Sequence, residues 1–102
     1  MIYIFHTRAC INGNEEVYKL GKTKVGVMKR LQGYDKGTTI EFLYPVPMEY
    51  VDDAETFILR HLRQTFEPRK DYGKEYFEAD KAKMVSFVSR MLDSFIERQQ
   101  QQ

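Results

Sequence analysis

The chain has 102 residues, of which 42% are hydrophobic and 14% aromatic, and its formal net charge is +1. This length fits one domain with a single core, and a disordered chain would have far fewer aromatic residues. A nearly neutral chain can bind nucleic acid only through a local basic surface. The single cysteine, Cys10, excludes an internal disulfide and a cysteine-based zinc cluster.

The N-terminal part of the sequence predicts a β-hairpin. Residues 1–7, "MIYIFHT", are rich in β-formers, and the Asn-Gly pair at 12–13 is typical of a tight turn. We therefore expect a loop over residues 8–15, followed by the return strand "EVYKL". In such a hairpin Tyr3 and Tyr18 would lie on neighbouring strands and on the same face of the sheet.

The middle of the chain predicts a short helix and a third strand. Apolar residues at i, i+1 and i+4 predict a helix over residues 24–31 that packs through Val27, Met28 and Leu31. Its basic residues would face outward: Lys24, Lys29 and Arg30. The segment "TTIEFLY" then alternates well enough to predict a strand that ends at Tyr44, where prolines follow.

A second helix is predicted to begin near Asp52. Asp52 as N-cap and Glu55 at the third helical position form a capping-box arrangement. Glu55 also shares a helical stripe with Leu59 and Leu62, so its carboxylate would lie at the rim of the core.

The C-terminal part of the chain predicts one further amphipathic helix and a tail. Apolar residues within 81–96 form a stripe broad enough to close the core of a monomer, although such a stripe could also form a dimer face. Residues 1–97 would thus form one domain, and the glutamine-rich residues 98–102 a disordered tail. The order ββαβαα predicts an α+β fold in which a small three-stranded, mainly antiparallel sheet is flanked by helices.

Taken singly, the polar residues have ordinary structural explanations. Tyr3 and Tyr18 would form a cross-strand aromatic pair, Lys22 and Arg30 would be solvated charges, and Glu55 would cap a helix. The chemical interpretation rests on the same residue types. Arginine is well shaped to fork onto a phosphate, and a carboxylate can hold a divalent cation against one.

Four short motifs in a fixed order resemble the GIY-YIG nuclease family. "IYIF" is similar to the first motif, with Tyr3 as its tyrosine, and "YKLG" to the second, with Tyr18 and Gly21. "KRLQGY" resembles the helix that supplies the catalytic arginine, which falls on Arg30, and "AETFILRHL" the helix that carries the metal-binding glutamate, Glu55. Downstream, "GKEYF" resembles an ending seen in phage and viral members.

The resemblance implies a metal-dependent endonuclease acting on double-stranded or branched DNA. One Mg²⁺ or Mn²⁺ ion would be bound by Glu55, Arg30 would bind the scissile phosphate, and either Tyr3 or Tyr18 would be the base. Residues in or near the motifs would bind the substrate: Gly21, Lys22, Lys24 and Lys29.

A catalytically weak or inactive nucleic-acid-binding module that retains the fold is the alternative. It is favoured by Met1, which stands where the first motif has glycine, and by a longer spacing between Gly21 and Arg30. With no apolar run of membrane-spanning length, we expect no membrane association and an intracellular protein (cytoplasm or nucleus), of phage or viral origin on the resemblance.

Overall fold

The computed structural model of the chain describes residues 1–101 and is an α+β fold built on one antiparallel sheet. The strands are β1 (Ile2–His6), β2 (Val17–Lys22), β3 (Thr39–Tyr44), β4 (Glu67–Pro68) and β5 (Tyr76–Glu78). The helices are α1 (Arg8–Asn12), α2 (Val27–Leu31), α3 (Val51–Thr65) and α4 (Lys81–Gln100), with a 3-10 turn at Met48–Tyr50. The strand order across the sheet is β3-β1-β2-β5-β4.

The α+β class is confirmed, but the sheet has five strands instead of three. β5 pairs with β2, placing Val17 opposite Glu78, and β4 pairs with β5 at the sheet edge. β4 has two residues and β5 three. Strands this short carry no measurable period-2 alternation, so sequence patterning could not identify them as strands.

The core lies between one face of the sheet and the two long helices. Ile2, Ile4 and Leu20 of the sheet are buried against α3 and α4. The predicted stripe of α4 is confirmed: four of its side chains are buried, namely Met84, Val88, Leu92 and Phe95. α4 continues to Gln100, three residues into the predicted tail, and Gln102 lies outside the described residues.

The predicted hairpin loop is wrong for residues 8–12, which form α1. The Asn-Gly signal fails because Gly13 adopts a right-handed conformation as the C-cap of this helix, with φ −78°. Asn14 takes the left-handed conformation instead, with φ 54°. The connection between β1 and β2 is therefore a short helix followed by a turn.

Two predictions about helix packing and capping are also wrong. α2 exists, but it has no buried residue, and Met28 is 63% exposed. α3 begins at Val51, with Tyr50 as N-cap and no side-chain cap hydrogen bond. Asp52 thus lies inside the first turn, where its carboxylate is free to bind other partners. Within residues 1–101, no helix combines the length and apolarity needed to cross a bilayer.

Candidate active site

A cleft of about 550 Å³ lies where the paired ends of β1 and β2 meet the region of α2 and the start of α3. Its lining residues come from all of these segments and from the loop before β5: Tyr3, Gly21, Lys22, Thr23, Lys24, Val25, Arg30, Glu55 and Glu75. The fold therefore brings together most of the predicted site residues. Tyr18 and Lys29 are not part of this lining.

The register of β1 and β2 positions the Tyr3 phenol in the cleft. Tyr3 lies directly opposite Gly21 in this antiparallel pair. A Cβ at residue 21 would lie 2.3 Å from Tyr3 Cζ. Glycine is therefore required at this position because the tyrosine ring occupies the space that a side chain would fill.

The prediction that Tyr18 shares a face with Tyr3 is wrong. Successive residues of a strand point to opposite faces, so a residue three positions before Gly21 faces away from it. Tyr18 packs in the core cluster, 3% exposed, with its ring 4.6 Å from that of His6. The residue two positions before Gly21 is Lys19, which forms an ion pair with Glu75.

Two polar groups meet at the Tyr3 hydroxyl. Arg30 Nε donates a hydrogen bond to Tyr3 Oη at 3.4 Å, and Tyr34 Oη lies 3.0 Å from the same oxygen. Burial, and then the hydrogen bond with Tyr3, raise the pKa of Tyr34 above its usual value. Tyr34 therefore keeps its proton, and either phenol can donate the hydrogen bond between them.

Tyr34 and Glu75 are site residues that the sequence analysis did not identify. Tyr34 follows Arg30 by four residues, a spacing that would have placed both on one side of a helical turn. Glu75 lies in the "GKEYF" segment, but only the pairing of β5 with β2 brings that segment to the cleft.

Glu55 is a largely buried carboxylate with one lysine partner. Its side chain is 11% exposed, and Lys22 Nζ lies 3.3 Å from Glu55 Oε1. Burial raises the pKa of Glu55 and the nearby charge of Glu75 raises it further, whereas Lys22 acts in the opposite direction. Burial thus outweighs the attraction of the lysine.

The donor set of the cleft fits one hydrated cation and not a cage made of protein ligands. In the described part of the chain, no three His, Cys, Asp or Glu side chains come together as a metal cluster. Mg²⁺ keeps several of its waters and is commonly held by one or two carboxylates and a substrate phosphate. Glu55, with Glu75 lining the same open cleft, could supply such carboxylates.

Replacing Gly21 by alanine is expected to disrupt the site, because the added methyl group would overlap the buried Tyr3 ring. Overpacking of this kind lowers the free energy of unfolding by about 1–3 kcal/mol, measurable by urea unfolding. Gly26→Ala is the matched control, since a Cβ there meets no atom within 4 Å. A Gly21→Ala protein as stable as the Gly26→Ala protein would contradict the packing described.

Glu55→Gln is expected to be at least as stable as the natural protein at pH 7. The pKa of Glu55 is raised in the folded state, so this group's stabilising contribution is present below its unfolded pKa and is lost as pH rises through the folded pKa. The amide has no charge to desolvate at neutral pH. Thermal unfolding between pH 4 and 7, with a chelator present, should show the Gln variant gaining relative stability as pH rises. A variant that loses relative stability over this range would show that the Lys22 ion pair dominates.

Comparison with known proteins gives one family and no individual relative. No curated protein and no solved structure matches the chain. The T5orf172 domain family matches residues 1–92, which include every residue lining the cleft. This is a phage-associated domain of a nuclease-related type, and the narrower GIY-YIG assignment stays a prediction. Because the match extends over 92 of the 102 residues, the chain belongs to the T5orf172 domain family.

Proposed function

We propose that the chain is a metal-dependent endonuclease that hydrolyses DNA phosphodiester bonds in this cleft. The observation that carries the proposal is the hydrogen bond from Arg30 to the Tyr3 phenol, at the wall of a cleft that Glu55 also lines. The family indicates a nuclease-related or DNA-binding role in general terms. The chemistry of the cleft supports cleavage as the specific form of that role.

Arg30 is the group best placed to bind the scissile phosphate. Within residues 1–101 its guanidinium makes no ion pair, whereas Lys22 and Lys24 are both bound to Asp52. The planar guanidinium can therefore offer its remaining N–H groups to two phosphate oxygens at once. It would also stabilise the negative charge that grows on the phosphate in the transition state.

Tyr3 is the tyrosine that would act as the base. Its oxygen accepts a hydrogen bond from Arg30 and lies 3.0 Å from Tyr34 Oη, so both groups could donate to the negative charge that forms when the Tyr3 proton leaves. After the Tyr3 phenol has released its own proton to solvent, the phenolate oxygen would take a proton from the attacking water as that water bonds to phosphorus. The bond from phosphorus to the leaving 3′ oxygen would break in the same step, and that oxygen would take a proton from solvent. Tyr18 is buried on the opposite face of the sheet and cannot reach the same water.

Glu55 would hold the divalent cation, Mg²⁺ or Mn²⁺, with Glu75 nearby in the same cleft. The chemistry supplied by such an ion is Lewis-acid stabilisation of charge on the phosphate oxygens. Glu55 must be ionised to bind it, so the burial that raises the pKa of Glu55 also makes cation binding stronger as pH rises.

A nucleic-acid-binding module without activity is the alternative. The location of Tyr18 favours it, since the cleft lacks the second phenol expected from the motif pattern. Such a module would bind DNA with an affinity that falls with salt, would need no metal ion, and would cut nothing.

Purified protein with Mg²⁺ or Mn²⁺ is expected to cut plasmid and branched DNA, and Arg30→Ala and Glu55→Gln are each expected to cut at least about a hundredfold more slowly. Gel assays of nicking and linearisation measure the rates, and Lys83→Ala is a control because Lys83 is exposed and outside the cleft lining. If the natural protein cuts no faster than Arg30→Ala or Glu55→Gln, the catalytic proposal is wrong. DNA binding that needs no metal ion and weakens with salt would then support the alternative, a nucleic-acid-binding module without activity.

Substituting the two tyrosines one at a time separates the roles of the two sheet faces. Tyr3→Phe should reduce the cleavage rate by about 10²–10⁴-fold, as expected for loss of a general base, with little effect on DNA affinity. Tyr18→Phe should cut at close to the natural rate, because its hydroxyl lies on the core face. If Tyr18→Phe cuts DNA more slowly than Tyr3→Phe, Tyr3 is not the general base.

A further inference from the structure

One ammonium group is shared between two carboxylates at the start of α3. Lys22 Nζ lies 2.9 Å from Asp52 Oδ1 and 3.3 Å from Glu55 Oε1. Asp52 and Glu55 are three residues apart on one helix, so their side chains lie on the same face. Lys24 Nζ binds the other oxygen of Asp52, at 2.9 Å, and does not compete with Lys22 for Oδ1.

The two carboxylates differ in their access to water. The Asp52 side chain is 56% exposed and that of Glu55 11% exposed. Lys22 is therefore the charge partner of a carboxylate that water solvates poorly, and it contacts an oxygen that a divalent cation would need. Asp52, in contrast, can hold Lys22 and remain solvated.

We propose that Lys22 is a tethered counterion that a divalent cation displaces from Glu55, and that Asp52 is the positioning residue that retains the displaced ammonium. This inference rests on the proposed function, because it takes Glu55 to be the cation ligand. In the absence of the cation, Lys22 neutralises Glu55 and keeps a buried carboxylate paired. When the cation binds, Lys22 stays on Asp52, within the cleft and close to the phosphate that Arg30 would hold.

Mn²⁺ binding to the DNA-free protein tests the displacement, with electron paramagnetic resonance reporting the free ion. Lys22→Met should bind Mn²⁺ about two- to fivefold more tightly, because no ammonium competes for Glu55. Lys24→Met is the matched control: it removes the same charge from the same Asp52 but has no contact with Glu55. It should leave the Mn²⁺ affinity close to that of the natural protein.

The role of Asp52 is tested by a double-mutant cycle with Lys22. Asp52→Asn should weaken Mn²⁺ binding about two- to fivefold, because Lys22 is then held by Glu55 alone. In the Lys22→Met protein the same substitution should have no more effect than Asp53→Asn, which removes an equal charge from an exposed neighbour. If Asp52→Asn weakens Mn²⁺ binding as much in the Lys22→Met protein as in the natural protein, Asp52 acts on the ion by its own charge. That result would overturn the positioning role assigned to Asp52.

The outcomes separate this inference from the proposed function. Mn²⁺ binding that requires Glu55 but is unchanged or weakened in Lys22→Met would overturn the inference and leave the proposed cation ligand in place. Equal tightening in Lys22→Met and Lys24→Met would also overturn it, since general charge would then explain both. Mn²⁺ binding that is absent, or that is unaffected by Glu55→Gln, would overturn the proposed cation ligand and the inference together.

Discussion

The packing of the Tyr3 ring over Gly21 is the constraint on which the cleft depends. Tyr3 is fully buried, and the two residues face each other across the β1–β2 pair. Arg30 and Tyr34, in contrast, lie on or just after α2, a helix with no buried residue. The Arg30 side chain is exposed, whereas the Tyr34 ring packs edge-on against the buried Phe5, with ring centroids 5.1 Å apart. Arg30 is therefore oriented by its hydrogen bond to the Tyr3 hydroxyl, and Tyr34 by its hydrogen bond and by the sheet residue on which it packs.

The parts of the fold that the sequence predicted well are those with long periodic segments. β3, α3 and α4 have enough residues for their apolar period to appear, whereas β4 and β5 owe their existence to pairing with distant residues. Tyr18 was misplaced for a different reason. The motif pattern counts residues, but a strand alternates its faces, and an odd separation from Gly21 sends the tyrosine to the core. The sequence alone contained that information. It did not reveal, however, that Glu75 lies at the cleft.

A shift of two residues in the start of α3 changes what Asp52 does. Had α3 begun with Asp52 as its N-cap, the carboxylate would have accepted hydrogen bonds from the helix backbone. The 3-10 turn at Met48–Tyr50 makes Tyr50 the N-cap, so Asp52 binds Lys22 and Lys24 instead. These two ion pairs hold the ammonium groups of Lys22 and Lys24 at the start of α3. Glu55 lies on the same helix, and burial destabilises the charged form of its carboxylate. Burial of that acid thus costs stability in its charged form, and the role proposed for it is that of a cation ligand.

Several lysines of the chain are paired with carboxylates, whereas Arg30 is hydrogen-bonded to a phenol. Lys19 pairs with Glu75, Lys81 with Glu41, and Lys22 and Lys24 with Asp52. Arg30, within residues 1–101, is bound to a neutral phenol and to no carboxylate. A neutral partner orients the guanidinium at contact distance, and the carboxylate of Glu75 acts on its charge from farther away. The phosphate-binding role proposed for Arg30 therefore depends on the identity of its partner, which counting lysines and arginines along the chain could not reveal.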